Sequence, residues 1–178
     1  QEGMIPMMDA GVRVDQHAPA LFIGAASICS GDGAALAIRA APDDNARNAA
    51  QQQAPLSFFM NHLLPPADRI LLVGDAKPFW YRRTSDTMTY ATVWDRGPLS
   101  EVAAANPEHP EQWAATLAAR GYTWLVLDWA MISNWGEKQW LDPTLTKERM
   151  QAFATSMPIV KQFPGGVELR ALKMPKPS

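Results

Sequence analysis

From Pro55 onward the apolar and polar positions fall into blocks whose period changes from helix to strand and back. Leu56, Phe59, Met60, Leu63 and Leu64 recur at helical spacing behind Pro55, which suits a first helical turn, and Pro65-Pro66 stops the pattern. Arg69 to Val73 is a short continuous apolar run closed by Gly74, as expected of a strand buried on both faces. Thr87 to Trp94 is rich in Thr, Tyr and Val and predicts a second strand. Pro110 opens a helix that carries Trp113 and Leu117 on one side and ends at Gly121, and Tyr122 to Leu127 is a third strand. Asp142-Pro143 predicts a cap and first turn for a helix running to about Thr155. Ile159 to Phe163, Pro164-Gly165-Gly166 and Val167 to Leu172 predict a hairpin.

This order is that of an α/β protein. The packing it predicts is a Rossmann-like, mostly parallel sheet flanked by helices and closed by a C-terminal antiparallel hairpin. Residues 1–54 read differently, as an irregular N-terminal arm. They are rich in Ala, Gly, Gln and Asn, with one apolar segment near 20–29 and a helix within 43–53. The α/β domain is expected over 55–172 and a loose, proline-containing tail over 173–178.

Composition narrows the function classes. A 47% apolar and 19% charged chain of 178 residues is globular, with a core that needs no staples. A net charge of −2 with scattered Lys and Arg gives no field for nucleic acid. Cys29 is the only cysteine and cannot form an internal disulfide, and the three histidines, His17, His62 and His109, show no metal-ligand spacing. The most apolar segment, Ala18 to Cys29, is too short to span a bilayer. The chain starts at Gln1 and not at a methionine, from which we expect a processed start or a piece of a longer protein.

Asp75, Asp95 and Asp128 each follow a predicted strand directly, in LLVGD, TVWD and LVLD. If the three strands run parallel, the three carboxylates emerge at one edge, where open α/β sheets bind ligands. Carboxylates there can bind sugar hydroxyls, hold a divalent cation or serve as acid and base. The alternative is that aspartates close strands as turn and cap residues. Nucleotide binding is excluded at Gly74-Asp75, where Ala76-Lys77-Pro78-Phe79 lacks the later glycines of a dinucleotide fingerprint, and at Gly31-Asp32-Gly33, which lacks the lysine and hydroxyl of a P-loop. No nucleophile elbow surrounds Ser30 or Ser133. No catalytic residue, metal ligand or cofactor is therefore assigned.

The seven tryptophans are the less ordinary feature. Trp94 and Trp124 lie in predicted strands, whereas Trp129, Trp135 and Trp140 cluster in DWAMISNWGEKQW. A large apolar face with an N–H donor suits interfaces and sugar-stacking surfaces, and equally suits the lid of a core. Trp129 joins the aspartates as a candidate ligand contact, and Trp135 and Trp140 are candidates for an interaction surface. Trp80-Tyr81 with Arg82-Arg83 forms a second aromatic and basic patch, suited to a partner or to membrane headgroups.

Residues 55–172 resemble the soluble C-terminal domain of polytopic bacterial glycosyltransferases of the GT-C type, which use polyprenyl-phosphate sugar donors. The resemblance rests on NHLLPPADR, ILLVGDAKPFWY, TYATVWDRGPL, LAARGYTWLVLDWAMI and MPIVKQFPGGVELRAL, taken in that order. It departs after the third strand, where the family often carries a Glu-Ile-x-Arg pattern and this chain has Ala130-Met131-Ile132-Ser133-Asn134. The family's catalytic acids lie in loops between membrane helices, so the resemblance implies an accessory module and no transferase activity for this chain alone. It implies an extracytoplasmic position, partners in the membrane part of the same polypeptide or in membrane protein subunits, and a glycan or lipid-linked sugar as ligand. The alternatives are a stand-alone interaction subunit docked on a membrane complex and a small metal-dependent enzyme built on the strand-end aspartates.

Overall fold

The computed structural model describes residues 31–75, 81–90 and 96–172. The apolar segment 18–29, Trp80, Trp94, Asp95 and the tail 173–178 lie outside the described residues.

The described part of the N-terminal stretch is helical, where an irregular arm with one helix was expected. Helix α1 spans Asp32–Arg39 and α2 spans Asp44–Gln53. Alanine-rich sequence favours helix, packing of Ala34, Ala35, Ile38 and Ala50 with Phe58 holds both short helices, and Asp43 caps α2 by accepting the Ala46 amide at 2.7 Å. None of the α2 residues is fully buried, so further anchorage comes from elsewhere. Lys161 supplies part of it, donating to the C-terminal carbonyls of Gln51 (3.5 Å) and Gln52 (2.8 Å) while lying over the rings of Phe59 and Phe163.

Helix α3 begins as Leu56–Phe58 and finishes as a π-turn over Phe59–Leu63. There follow β1 (Arg69–Val73), β2 (Met88–Tyr90), α4 (Pro98–Ala105) and α5, a 3-10 turn over Pro110–Gln112 that continues as Trp113–Ala119. The chain then forms β3 (Tyr122–Asp128), α6 (Trp129–Glu137), α7 (Lys147–Thr155), β4 (Ile159–Phe163) and β5 (Val167–Ala171).

The fold is α/β, with one five-stranded mixed sheet in the order β2-β1-β3-β5-β4. Strands β2, β1 and β3 run parallel and β5 and β4 pair antiparallel, so the sheet divides between the two modes. The parallel trio brings the ends of β1 and β3 together, with Val73 opposite Leu127. Helices α4 and α6 are additions to the sequence-based expectation. Pro98 marks the first turn of α4, a usable signal in a stretch otherwise short and alanine-rich. The helix expected from Asp142 starts at Lys147 under a Thr146 cap, because Asp142 spends its Oδ1 on a local turn with the Thr144 amide.

Alternation along the strands divides the core into two layers. Leu71, Val73, Leu125 and Leu127 face Val102, Trp113, Leu117, Ile132, Met150 and Phe153 from the helices on one side. Ile70, Leu72 and Val126 face Met60, Tyr81, Met88, Phe163 and Leu169 on the other. A strand buried on both faces reads as a continuous apolar run, which is why β1 and β3 were plain in the sequence. Among the described residues no helix is long and apolar enough to cross a membrane.

An ionic node joins the hairpin to the helices. Arg170, 7% exposed, donates to the α7 C-terminal carbonyls of Ala154 (2.5 Å) and Met157 (2.7 Å) and pairs with Glu168 at 2.8 Å. Burial disfavours the Glu168 charge, but the hydrogen bonds from Trp129 and Arg170 and the Arg170 charge outweigh it, and the carboxyl titrates below its ordinary range. A depressed folded-state value stabilises the protein above the unfolded value and loses that contribution as the carboxyl protonates. The stability of the protein is thus expected to fall steeply as the pH drops below about 4.3, and Glu168→Gln to flatten that part of the profile in urea unfolding measured against pH. At Gly74, φ is +85° and an added Cβ would lie 2.8 Å from the Asp128 carbonyl oxygen. Gly74→Ala is expected to lower the unfolding free energy by about 1–3 kcal/mol, measured by the same titration at neutral pH.

Candidate functional site

The parallel strands deliver Asp75 and Asp128 to one edge, and the tertiary structure then uses both structurally. Asp75 is 8% exposed and accepts the Tyr81 hydroxyl. Burial, that hydrogen bond and the nearby charges of Asp75 and Asp128 all raise the Tyr81 pKa, so the phenol stays protonated and acts as a donor. Asp128 is the cap of α6, its Oδ1 accepting the Met131 amide at 3.0 Å. Its other neighbours border an open depression with Asn134 and Gly165. Among the described residues no group of three or more His, Cys, Asp or Glu side chains is placed to hold a metal ion.

Two further sequence-based assignments change. Trp129 donates its indole N–H to Glu168 Oε2 at 2.9 Å and packs against the helical core layer, which makes it part of the ionic node. Tyr81 and Arg83 do not form a surface patch. Tyr81 is buried, and Arg83 turns inward to donate to the carbonyls of Met60 (2.9 Å), Leu64 (2.9 Å), Pro65 (3.1 Å) and Asp68 (3.1 Å). A helix ending in two prolines leaves carbonyls without partners, and the five-donor guanidinium answers that need. Arg82 stays exposed while its backbone amide donates to Asn61 Oδ1 at 2.6 Å.

The cavity of interest lies beside the end of β1, between the first turn of α4 and the last turn of α6, with a volume of about 300 Å³. Val73 and Gly74 form its floor, Gly97 to Ser100 one wall, and Trp135, Trp140 and Asp142 the other. Its position matches the general rule for open α/β sheets, in which ligands bind outside the strand carboxyl ends where the connections diverge. From β1 the chain goes to β2 on one side, then crosses to β3 on the other.

A Schellman motif brings the tryptophans to this rim. The Trp140 amide donates to the Trp135 carbonyl at 2.8 Å and the Gln139 amide to the Gly136 carbonyl at 3.1 Å. Gln139 adopts φ +57°, the left-handed conformation that glycine or asparagine ordinarily supplies at this point. Trp140 is 49% exposed, with the Lys138 ammonium 4.7 Å from its ring centroid. Trp135 and Trp140 are thus neighbours through backbone geometry, and the sequence carried no glycine to announce the turn.

Asp142, Ser100 and Arg96 complete the polar lining, and the sequence reading did not single them out for binding. Asp142 Oδ1 accepts the Thr144 amide (2.9 Å) and hydroxyl (2.6 Å). Burial works against its charge, but those bonds, the Arg96 guanidinium and the Ser100 hydroxyl hold its carboxyl below the usual aspartate range. It is ionised at neutral pH. The available signals were Asp-Pro-Thr as a side-chain turn and Gly97-Pro98 as a helix start.

The arrangement can hold a small ligand with an apolar face and hydroxyl donors, since the indoles offer flat apolar surface and the carboxylate accepts. Gln139→Gly is expected to relieve the left-handed strain and raise stability by about 1 kcal/mol, seen as a higher melting temperature without change in the circular dichroism spectrum.

Compared with models of protein families, with curated proteins and with solved structures, the chain matches none.

Proposed function

We propose that this chain is a non-catalytic accessory domain that holds a glycan or a sugar for a membrane system, on its extracytoplasmic face. The observation that carries the reading is the cavity at the strand ends, where Trp135 and Trp140 stand beside an ionised Asp142. Indole faces and a carboxylate are the two kinds of group a sugar ring needs, one for its C–H face and one for its hydroxyls. Asp75 and Asp128 are engaged in a buried hydrogen bond and a helix cap, which favours binding over acid-base chemistry.

The kinship in this reading is with the soluble domain of polyprenyl-phosphate-dependent membrane glycosyltransferases. The order of elements in 55–172 supports it, as does the Rossmann-like half made by β2, β1 and β3 with the helical crossover through α4 and α5. The partner is the membrane part of the same polypeptide or a membrane protein subunit, and the domain positions an acceptor or a sugar for chemistry performed there.

Saturation-transfer NMR against a panel of soluble glycans tests the reading. At least one glycan is expected to bind, with contacts to indole protons. Trp135→Ala and Trp140→Ala are expected to weaken that binding about fivefold each, the loss of about 1 kcal/mol of aromatic contact, while the half-exposed Trp140 position leaves the melting temperature unchanged. Failure of every glycan to bind overturns the reading in favour of an interaction subunit, for which the exposed Ile159 and Val160 on the edge strand β4 speak.

A further inference from the structure

The cavity beside Trp135 and Trp140 already contains an anion of its own. The Asp142 side chain is 11% exposed and lines the cavity with the first turn of α4, where the hydroxyl of Ser100, itself 8% exposed, helps to hold the carboxyl below its usual range. A helix N-terminus attracts negative charge, and in most sites of this kind the charge arrives with the ligand. Here the protein supplies it. Among the described residues the cation paired with Asp142 across this space is Arg96, whose Nε is 3.8 Å from Oδ2 and whose side chain is 78% exposed. That separation is too long for a hydrogen bond, and a pair so open to water offers little compensation.

An incoming phosphate or carboxylate would therefore meet a fixed like charge in a partly desolvated space, where repulsion is several times stronger than in bulk water. An uncharged ring meets no such penalty. A carboxylate has about four acceptor sites, and the Thr144 amide and hydroxyl both go to Asp142 Oδ1. Oδ2 faces Arg96 at 3.8 Å, beyond hydrogen-bond length, and can accept a ligand hydroxyl.

We infer that the cavity selects uncharged hydroxylated rings over anionic ones, and that Asp142 is the residue that sets this selection. The inference rests on the sugar-holding function proposed above and names the class of sugar. It has a consequence for a lipid-linked ligand: the sugar ring enters and the phosphate stays outside, on the side of Arg96.

The test compares methyl hexosides with the corresponding hexose 1-phosphates on the wild-type chain, by saturation-transfer NMR with competition to obtain affinities. Methyl hexosides are expected to bind at least about tenfold more tightly than the 1-phosphates, as a like charge in a partly buried site, offset only weakly by the exposed Arg96, implies. Asp142→Asn keeps the shape and most of the hydrogen bonding, and is expected to close that gap from both sides, weakening the hexosides and admitting the 1-phosphates. Arg96→Ala, at an exposed position that the fold does not need, is expected to widen it. Wild-type binding of the 1-phosphates as tight as that of the hexosides, or an unchanged ratio in both variants, overturns the selection while leaving the sugar site in place. Binding of neither class overturns the sugar site and the selection with it.

Discussion

The structure depends on how closely β1 and β3 can end beside each other. Val73 pairs with Leu127, and the chain leaves β1 through Gly74 with φ +85° while the Asp128 carbonyl presses against the position a Cβ would take. Only glycine satisfies both the backbone sign and the contact. Because β1 turns away at this point, β3 can run one residue further and pass straight into α6 under the Asp128 cap. The space left between α6 and the first turn of α4 is the cavity. Strand packing, helix start and cavity thus share a single steric condition.

A second constraint holds the other half of the sheet. The hairpin β4–β5 has short strands and, on its outer edge, exposed Ile159 and Val160. Its attachment to the helices runs through Arg170, whose guanidinium takes the α7 carbonyls and Glu168 together, and through Trp129, which donates to the same Glu168. A buried charge pair is not a strong source of net stability, since desolvation offsets much of its attraction. Its value here is positional. Trp129 is the first residue of α6, so the node fixes the angle at which that helix leaves the sheet and hence where its far end presents Trp135 and Trp140.

Asp75 and Asp128, which mark strand ends in the sequence, have structural partners in the fold. Asp75 holds Tyr81 in the lower core layer and Asp128 starts α6. The carboxylate that lines the cavity among the described residues is Asp142, which a linear reading assigns to a helix cap. Arg83 follows the same logic: a charge next to aromatic residues reads as surface, yet its fork of donors is consumed by the carbonyls of Met60, Leu64, Pro65 and Asp68 around the proline stop.

By itself the sequence determined the α/β class and the limits of β1, β3 and the closing hairpin. These follow from local periodicity and from glycine and proline, which act within a few residues and need no distant partner. Tertiary structure decided that β1 and β3 run parallel, that the hairpin joins β3 through β5, the helices at 32–39, 98–105 and 129–137, and the placing of Asp142 in the cavity. Those outcomes turn on long-range choices: which edge the hairpin joins, which carbonyls lack donors, and which side chain reaches an empty place first. Gln139 shows the limit most clearly, since only the surrounding packing forces a glutamine into a left-handed turn and so brings two tryptophans onto one rim.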